Sequence, residues 1–174
     1  MSCLFADAMN VPEKPEGPVV QIDTREHAHA IRRIIQAFDD AGIQHFSSKL
    51  YVGDYQRLDN GLLVVDRKQN LQEIAGNLTQ QHERFRAELE RARKAKIRLV
   101  VLCEHGGQIR SIEDVAAWKN PRLKESPGAI TGDRMAKIMR TMSERYGVEW
   151  RFCDKRQTGK KILEILQEGV DGKE

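Results

Sequence analysis

At 174 residues, with 40% hydrophobic and 32% charged positions of mixed sign, the chain is long enough for one domain with a real core and reads as water-soluble and globular. No apolar run approaches the roughly 20 residues that cross a bilayer, which excludes a helical membrane protein. A net charge of +3 and a sequence pI near 8.8 permit a nucleic-acid partner without requiring one, so the distribution of charge matters more than its sum.

The opening "MSCLFADAMNVPEKPEGP" has neither the basic n-region nor the long apolar stretch of a signal peptide. With three prolines up to Pro18 and few apolar anchors, the opening reads as a flexible N-terminal tail over residues 1–17, and 18–170 as a single domain. Cys3, Cys103 and Cys153 are odd in number and follow no metal-ligand spacing. They suit free thiols in a reducing cytoplasm. "PVVQID" is a short buried strand. The helix expected over Glu26 to Ala41 carries Ile31, Ile34, Ile35 and Phe38 at helical spacing and stops at Gly42.

"GIQHFSSKLYVGDYQRL" reads as one extended run, "DNG" as a hairpin turn that accepts positive φ, and "LLVVDRK" as the return strand. Leu71 to Lys94 follows as one long polar helix with Gly76 as its weak point, then "IRLVVLCE" as a strand. "SIEDVAAW" begins with a capping signal and forms a short helix. "KNPRLKESPGAITG" is rich in breakers; Asp133 to Tyr146 is helical, "GVEWRFCD" a strand and Thr158 to Gln167 the last helix. Strands alternating with helices indicate an α/β domain, and one hairpin makes the sheet mixed.

Two strands end in charge. The hairpin sets Asp54 close to Asp66, while period-two alternation puts Asp66 and Lys68 on one face and Arg67 on the other. Like charges facing each other are destabilising, and a hard divalent cation would offset them; the plainer alternative is a solvated sheet rim. The strand ending in "IDTRE" brings Asp23, Arg25 and Glu26 to a second such place. There Asp23 either caps the helix or forms a third wall of the same acidic pocket. From Arg84 to Arg98 seven Lys or Arg face only two Glu. This basic segment serves either as a phosphate-contacting stripe or as an ordinary solvated helix.

"VVQIDTRE", "VGDY" and "VVDRK", in that order, resemble the nuclease domain of the XPF-type structure-specific endonucleases, a branch of the restriction-endonuclease-like superfamily. The resemblance implies a restriction-endonuclease-like mixed β-sheet flanked by helices on both faces. It further implies a Mg²⁺- or Mn²⁺-dependent endonuclease that cuts branched, flap or fork DNA in replication, recombination or repair. By this resemblance Asp23, Asp54 and Asp66 match the metal-binding acids, and Lys68 matches the lysine that orients or activates water. Arg25, Glu26 and Arg67 match supporting charged positions. Arg84 and Phe85 resemble a basic–aromatic pair near bound DNA, with Arg91 and Lys94 as further phosphate contacts. A homodimer through the C-terminal helices and a stand-alone bacterial or phage nuclease complete the expectation. Its rivals are a junction resolvase or exonuclease on the same fold, and a noncatalytic DNA-binding or scaffold subunit. Two positions depart from the family pattern. Asp66 stands for a Glu, and Gln72, beside Glu73, stands for an acid. The 105–132 segment is extra to the pattern, and its Trp118 is either core or a stacking residue.

Overall fold

A computed structural model of the chain describes residues 17–168, so the N-terminal tail expected over residues 1–17 lies, apart from Gly17, outside the described residues, as does Cys3. The chain runs β1 (Val19–Ile22), α1 (Arg32–Asp40), β2 (Gln44–Ser47), β3 (Tyr55–Arg57) and β4 (Asn60–Lys68). It continues through α2 (Leu71–Leu78), α3 (His82–Lys94), β5 (Arg98–Cys103), α4 (Ile112–Ala116), α5 (Gly132–Tyr146), β6 (Glu149–Phe152) and α6 (Thr158–Gln167). The six strands form one mixed sheet in the order β2-β1-β3-β4-β5-β6. β3 is antiparallel to both of its neighbours, whereas β4, β5 and β6 are parallel to one another.

Alternation along the central strands builds a core on each face, as expected where a sheet is covered on both sides. Val64, Leu99 and Val101 point to the side of α2, α3, α4 and α5, with Leu71, Phe85, Leu89 and Met139 packed over them. Leu63, Val65, Val100 and Leu102 point to the opposite side, where α1 and α6 contribute Ile34, Phe38, Ile162 and Ile165. Cys103 and Cys153 are buried free thiols. Trp118 packs partly buried against the first core, edge-on to His105 at 6.2 Å. Among the described residues no helix is long and apolar enough to cross a membrane.

Four expectations about local structure are corrected. The hairpin turn foreseen at "DNG" falls on Leu58 and Asp59, and Asn60 and Gly61 already belong to β4, without positive φ. The helix foreseen from Glu26 begins at Arg32. Glu26 donates its amide to the carbonyl of Asp23 at 3.1 Å and sends its carboxylate across to β4, and residues 27–31 turn rather than wind. The extended run after Gly42 is two strands lying on opposite sides of β1, joined by a loop that crosses over the strand ends. The long polar helix is two helices. The amides of Thr79 and Gln81 both fold back to the carbonyl of Gly76 at 3.3 and 2.9 Å, and the Thr79 hydroxyl bonds the Ala75 carbonyl, which ends α2.

Two features outside the site lend themselves to stability tests. A Cβ on Gly159 in α6 would lie 2.6 Å from Ala37 Cβ and 3.1 Å from Ile34 Cα in α1. The close crossing of these helices therefore needs glycine there, and Gly159→Ala should cost about 1–3 kcal/mol in urea unfolding. At the β5–β6 end Arg98 binds Glu149 through two bonds of 2.5 and 3.0 Å and Glu168 at 2.9 Å, while Arg151 also pairs with both acids. The Arg98 and Arg151 hydrogen bonds hold both carboxyls below the ordinary glutamate value of 4.5. Depressed carboxyl values mean stability that is present above pH 4.5 and lost as pH falls through the folded-state values. Arg98→Met should therefore cost up to about 1 kcal/mol at pH 7, a figure kept small by the partial exposure of the cluster. The gap to the parent should close on acidification, read from urea midpoints; a gap constant down to pH 3 would refute this.

Candidate active site

The parity of β4 carries directly into the site. Asp66 and Lys68 share the face of Val64, toward α2 and α3, and Arg67 shares the face of Val65. Lys68 Nζ lies 3.0 Å from Asp66 Oδ1 in a directed hydrogen bond and 2.8 Å from Oδ2 in charge contact only, which leaves Oδ2 buried without a hydrogen bond. The same ammonium stands 5.7 Å above the ring of Phe85. Burial alone would lower the Lys68 pKa. The Asp66 and Asp54 carboxylates outweigh it and hold the group above the ordinary lysine range, so it is a cation at neutral pH.

Asp54 arrives from the other limb of the hairpin. Its amide donates to the carbonyl of Val65 at 2.9 Å, and its Oδ2 accepts the Arg67 amide at 2.8 Å. The residue before it explains how the chain brings it there. Gly53 has φ of +66°, a left-handed conformation, and a Cβ would lie 2.5 Å from Val64 Cγ1 and 3.2 Å from the Val65 carbonyl. The Gly53 amide donates to Glu88 of α3 at 3.0 Å, tying the loop to that helix. Burial first, then the Asp66 and Glu26 carboxylates, push Asp54 well above the usual carboxylate range. Two acids crowded in this way form a site that favours either a proton or a cation.

Arg67 turns to the opposite face and is buried. Glu26 grips it through two bonds of 2.7 and 3.1 Å, and Glu104 Oε2 lies 3.4 Å from it. Tyr55 donates its hydroxyl to Glu26 at 2.6 Å. Burial would lower the guanidinium pKa, but Glu26 outweighs it; burial and the same carboxylate raise the tyrosine. Glu104 and Tyr55 were not singled out by sequence. Tyr55 closes the "VGDY" block and Glu104 closes the strand run "IRLVVLCE", and neither context assigned a role.

Asp54, Asp66 and Lys68 face an open cleft of about 230 Å³, and Arg25 and Glu26 reach its rim. The wall opposite comes from Glu73 and Asn77 of α2 and from Arg84 and Glu88 of α3. Of the basic residues expected on α3, Arg84 is exposed at the cleft, whereas Arg91 and Lys94 lie farther along the helix and do not line it. Phe85 is buried, a floor for Lys68 packed near Trp150 at 6.2 Å, and offers no face for stacking a base.

The expectation that Asp23 forms a third acidic wall is not met. Its Oδ1 accepts from the Arg25 amide and Nε at 2.8 and 2.6 Å, and its Oδ2 from the Leu50 amide at 2.7 Å. Burial would raise this acid, but those bonds, the Arg25 guanidinium foremost, hold it below the ordinary value. Asp23 thus pins the loop that leads to Asp54. Gln72 also leaves the site: its amide donates to Asn120 at 2.8 Å, and Asn120 donates to the Ile130 carbonyl at 2.8 Å, docking the 105–132 segment on α2. Its neighbour Glu73 faces the cleft and accepts the Gln69 amide at 2.8 Å. Among the described residues no group of three His, Cys, Asp or Glu is gathered to hold a metal ion unaided. Asp54 and Asp66, two crowded carboxylates with an unbonded buried oxygen, nevertheless have the donor chemistry that suits a hard cation.

Residues 22–166 match the ERCC4 domain. Among solved structures the chain is similar to XPF from Aeropyrum pernix, at 19% identity and a TM-score of 0.63. It is also similar to XPF from Aeropyrum pernix in complex with DNA, at 18% identity and a TM-score of 0.61. Each comparison covers 89% of this chain and 66% of the other, so the chain spans just under two thirds of those proteins. No curated protein matches it significantly.

The crowding of Asp54 makes a prediction that does not depend on activity. In chelator at neutral pH, Asp54→Asn removes a repelled charge and keeps an acceptor for the Arg67 amide, so its melting temperature should rise above that of the parent. Mn²⁺ or Mg²⁺ should then raise the melting temperature of the parent and not of the variant. A variant less stable than the parent in chelator would show that the acids do not repel.

Proposed function

The chain belongs to the ERCC4 domain family, and from that premise we propose that it is a metal-dependent endonuclease that hydrolyses phosphodiester bonds in branched DNA. The observation that carries the proposal is the Asp54–Asp66–Lys68 constellation at the mouth of a cleft edged by Arg25 and Arg84. That arrangement suits a phosphate better than a neutral substrate. It combines two crowded acids for a cation, a protonated lysine, and guanidinium groups at the rim.

Asp54 and Asp66 would hold Mg²⁺ or Mn²⁺, which when bound supplies charge neutralisation at the phosphate and a more acidic water. The chain's own residues do the rest. Lys68, protonated and braced between Asp66 and the Phe85 ring, acts as a fixed cation and donor that orients the attacking water against a phosphate oxygen. Its raised pKa argues against a role as general base while it is bound to Asp66. The Arg67 amide holds the Asp54 carboxylate in its rotamer, and the Glu26–Arg67–Glu104 network behind it keeps the strand end from shifting. Arg25 and Arg84 steady the DNA strand at the rim. Water forms a new P–O bond, one ester P–O bond breaks, and the departing oxygen takes a proton.

Lys68→Ala and Asp54→Asn should each lower cleavage of end-labelled flap, fork, four-way-junction and linear DNA by about 10²-fold or more, with circular dichroism and DNA affinity kept. Cleavage confined to linear ends would mark an exonuclease, and preference for the four-way junction a resolvase. Binding without cleavage in either metal ion would leave a noncatalytic DNA-binding subunit.

A further inference from the structure

On the other side of α3 from the cleft lies a second groove, of about 420 Å³, between α3 and α5. Its chemistry follows from helical spacing. Arg134, Lys137, Thr141 and Arg145 recur along one stripe of α5, and His82 and Arg86, four apart, face them from α3. Ile138 and Met142 make the floor, and the partly exposed ring of Tyr146 closes one end under the Arg145 guanidinium at 5.4 Å. No carboxylate lines the groove. Among the described residues the ion pair made by a lining residue is that of His82 Nδ1 with Glu83 at 3.6 Å, and Glu83 is itself largely exposed. Several basic side chains elsewhere are paired, Arg93 with Glu90, Arg98 with Glu149, Arg140 with Glu113 and Lys161 with Glu164. Among the described residues, Arg86, Arg134 and Lys137 form no ion pair.

We propose that this groove binds the backbone of a single-stranded nucleic-acid segment, with Arg86, Arg134, Lys137 and Arg145 on its phosphates and Tyr146 as a stacking face. Unpaired cations over an apolar floor with one aromatic ring form the combination that tracks a flexible strand without reading its sequence. A rigid duplex would offer phosphates but no bases to the floor and ring. The groove and the cleft flank the same turns of α3, His82 and Arg86 on one side and Gln81 and Arg84 on the other, so one helix thickness of about 10 Å separates them. A strand leaving a branch point at the cleft would cross α3 into the groove. The assignment to this strand rests on the endonuclease reading of the cleft; the binding itself does not.

The test is fluorescence anisotropy of labelled oligo(dT) in chelator, where cleavage plays no part. Arg134→Glu/Lys137→Glu, both at exposed positions, should weaken binding, and the milder Arg134→Ala/Lys137→Ala should lower the slope of log affinity against log salt by about 1.4, two phosphate contacts' worth. Tyr146→Ala should weaken binding on the order of tenfold at constant slope. An unchanged slope in the alanine pair, or loss of affinity for a hairpin duplex only, would overturn the proposal. So would displacement of oligo(dT) by poly-glutamate as readily as by unlabelled oligo(dT), which would make the groove a site for acidic protein segments. A parent protein that binds oligo(dT) through these residues yet cuts no DNA would defeat the endonuclease reading and leave the groove standing.

Discussion

The buried guanidinium of Arg67 holds the functional end of the sheet together. Its amide orients Asp54, while its side chain, on the opposite face of β4, is held by the two bonds of Glu26 and approached by Glu104. A charge taken out of water in this way is tolerable only while its partners stay in place, because losing one partner of such a set costs about 3–5 kcal/mol. The strand ends carrying Glu26, Arg67 and Glu104 therefore keep one arrangement, and the reactive side chains on the other face inherit that rigidity.

Each face of β4 sets two carboxylates against one cation, in different geometry. Behind the strand, Arg67 is gripped by Glu26, which also accepts the Tyr55 hydroxyl, and approached by Glu104. In front, two acids are crowded and only one lysine answers them. The hydrogen-bonded Glu26–Arg67 pair thus braces the strand whose other face carries the crowded acids. Gly53 and Asp23 serve the same end. The first lets the chain press against β4, and the second fastens the loop above it.

α3 has a comparable double role. Its inner face supplies Phe85 to the core beneath Lys68, one flank gives Arg84 and Glu88 to the cleft, and the other gives His82 and Arg86 to the cationic groove. The turn at Thr79 that separates it from α2 frees it to pack at its own angle. A single continuous helix would have aimed these side chains differently.

Sequence by itself determined what depends on near neighbours. Period-two alternation in "LLVVDRK" separated Asp66 and Lys68 from Arg67, and a hairpin, its turn at Leu58–Asp59 just ahead of the expected Asn60–Gly61, brought Asp54 to them, because hairpins and pleats are local geometry. The alternation of strands and helices, the cap at Ser111 and the last helix over Thr158–Gln167 were legible for the same reason. Tertiary structure decided the rest. Whether Asp23 faced the cleft depended on a Leu50 amide 27 residues away, and whether Gln72 did depended on Asn120, 48 residues away. Phe85 looked like a partner for DNA until packing against β4 and Trp150 buried it. The cationic groove exists only because α3 and α5, far apart in the chain, lie side by side. No periodicity within either helix specifies which charged face will meet another, since that choice is made by the core they share.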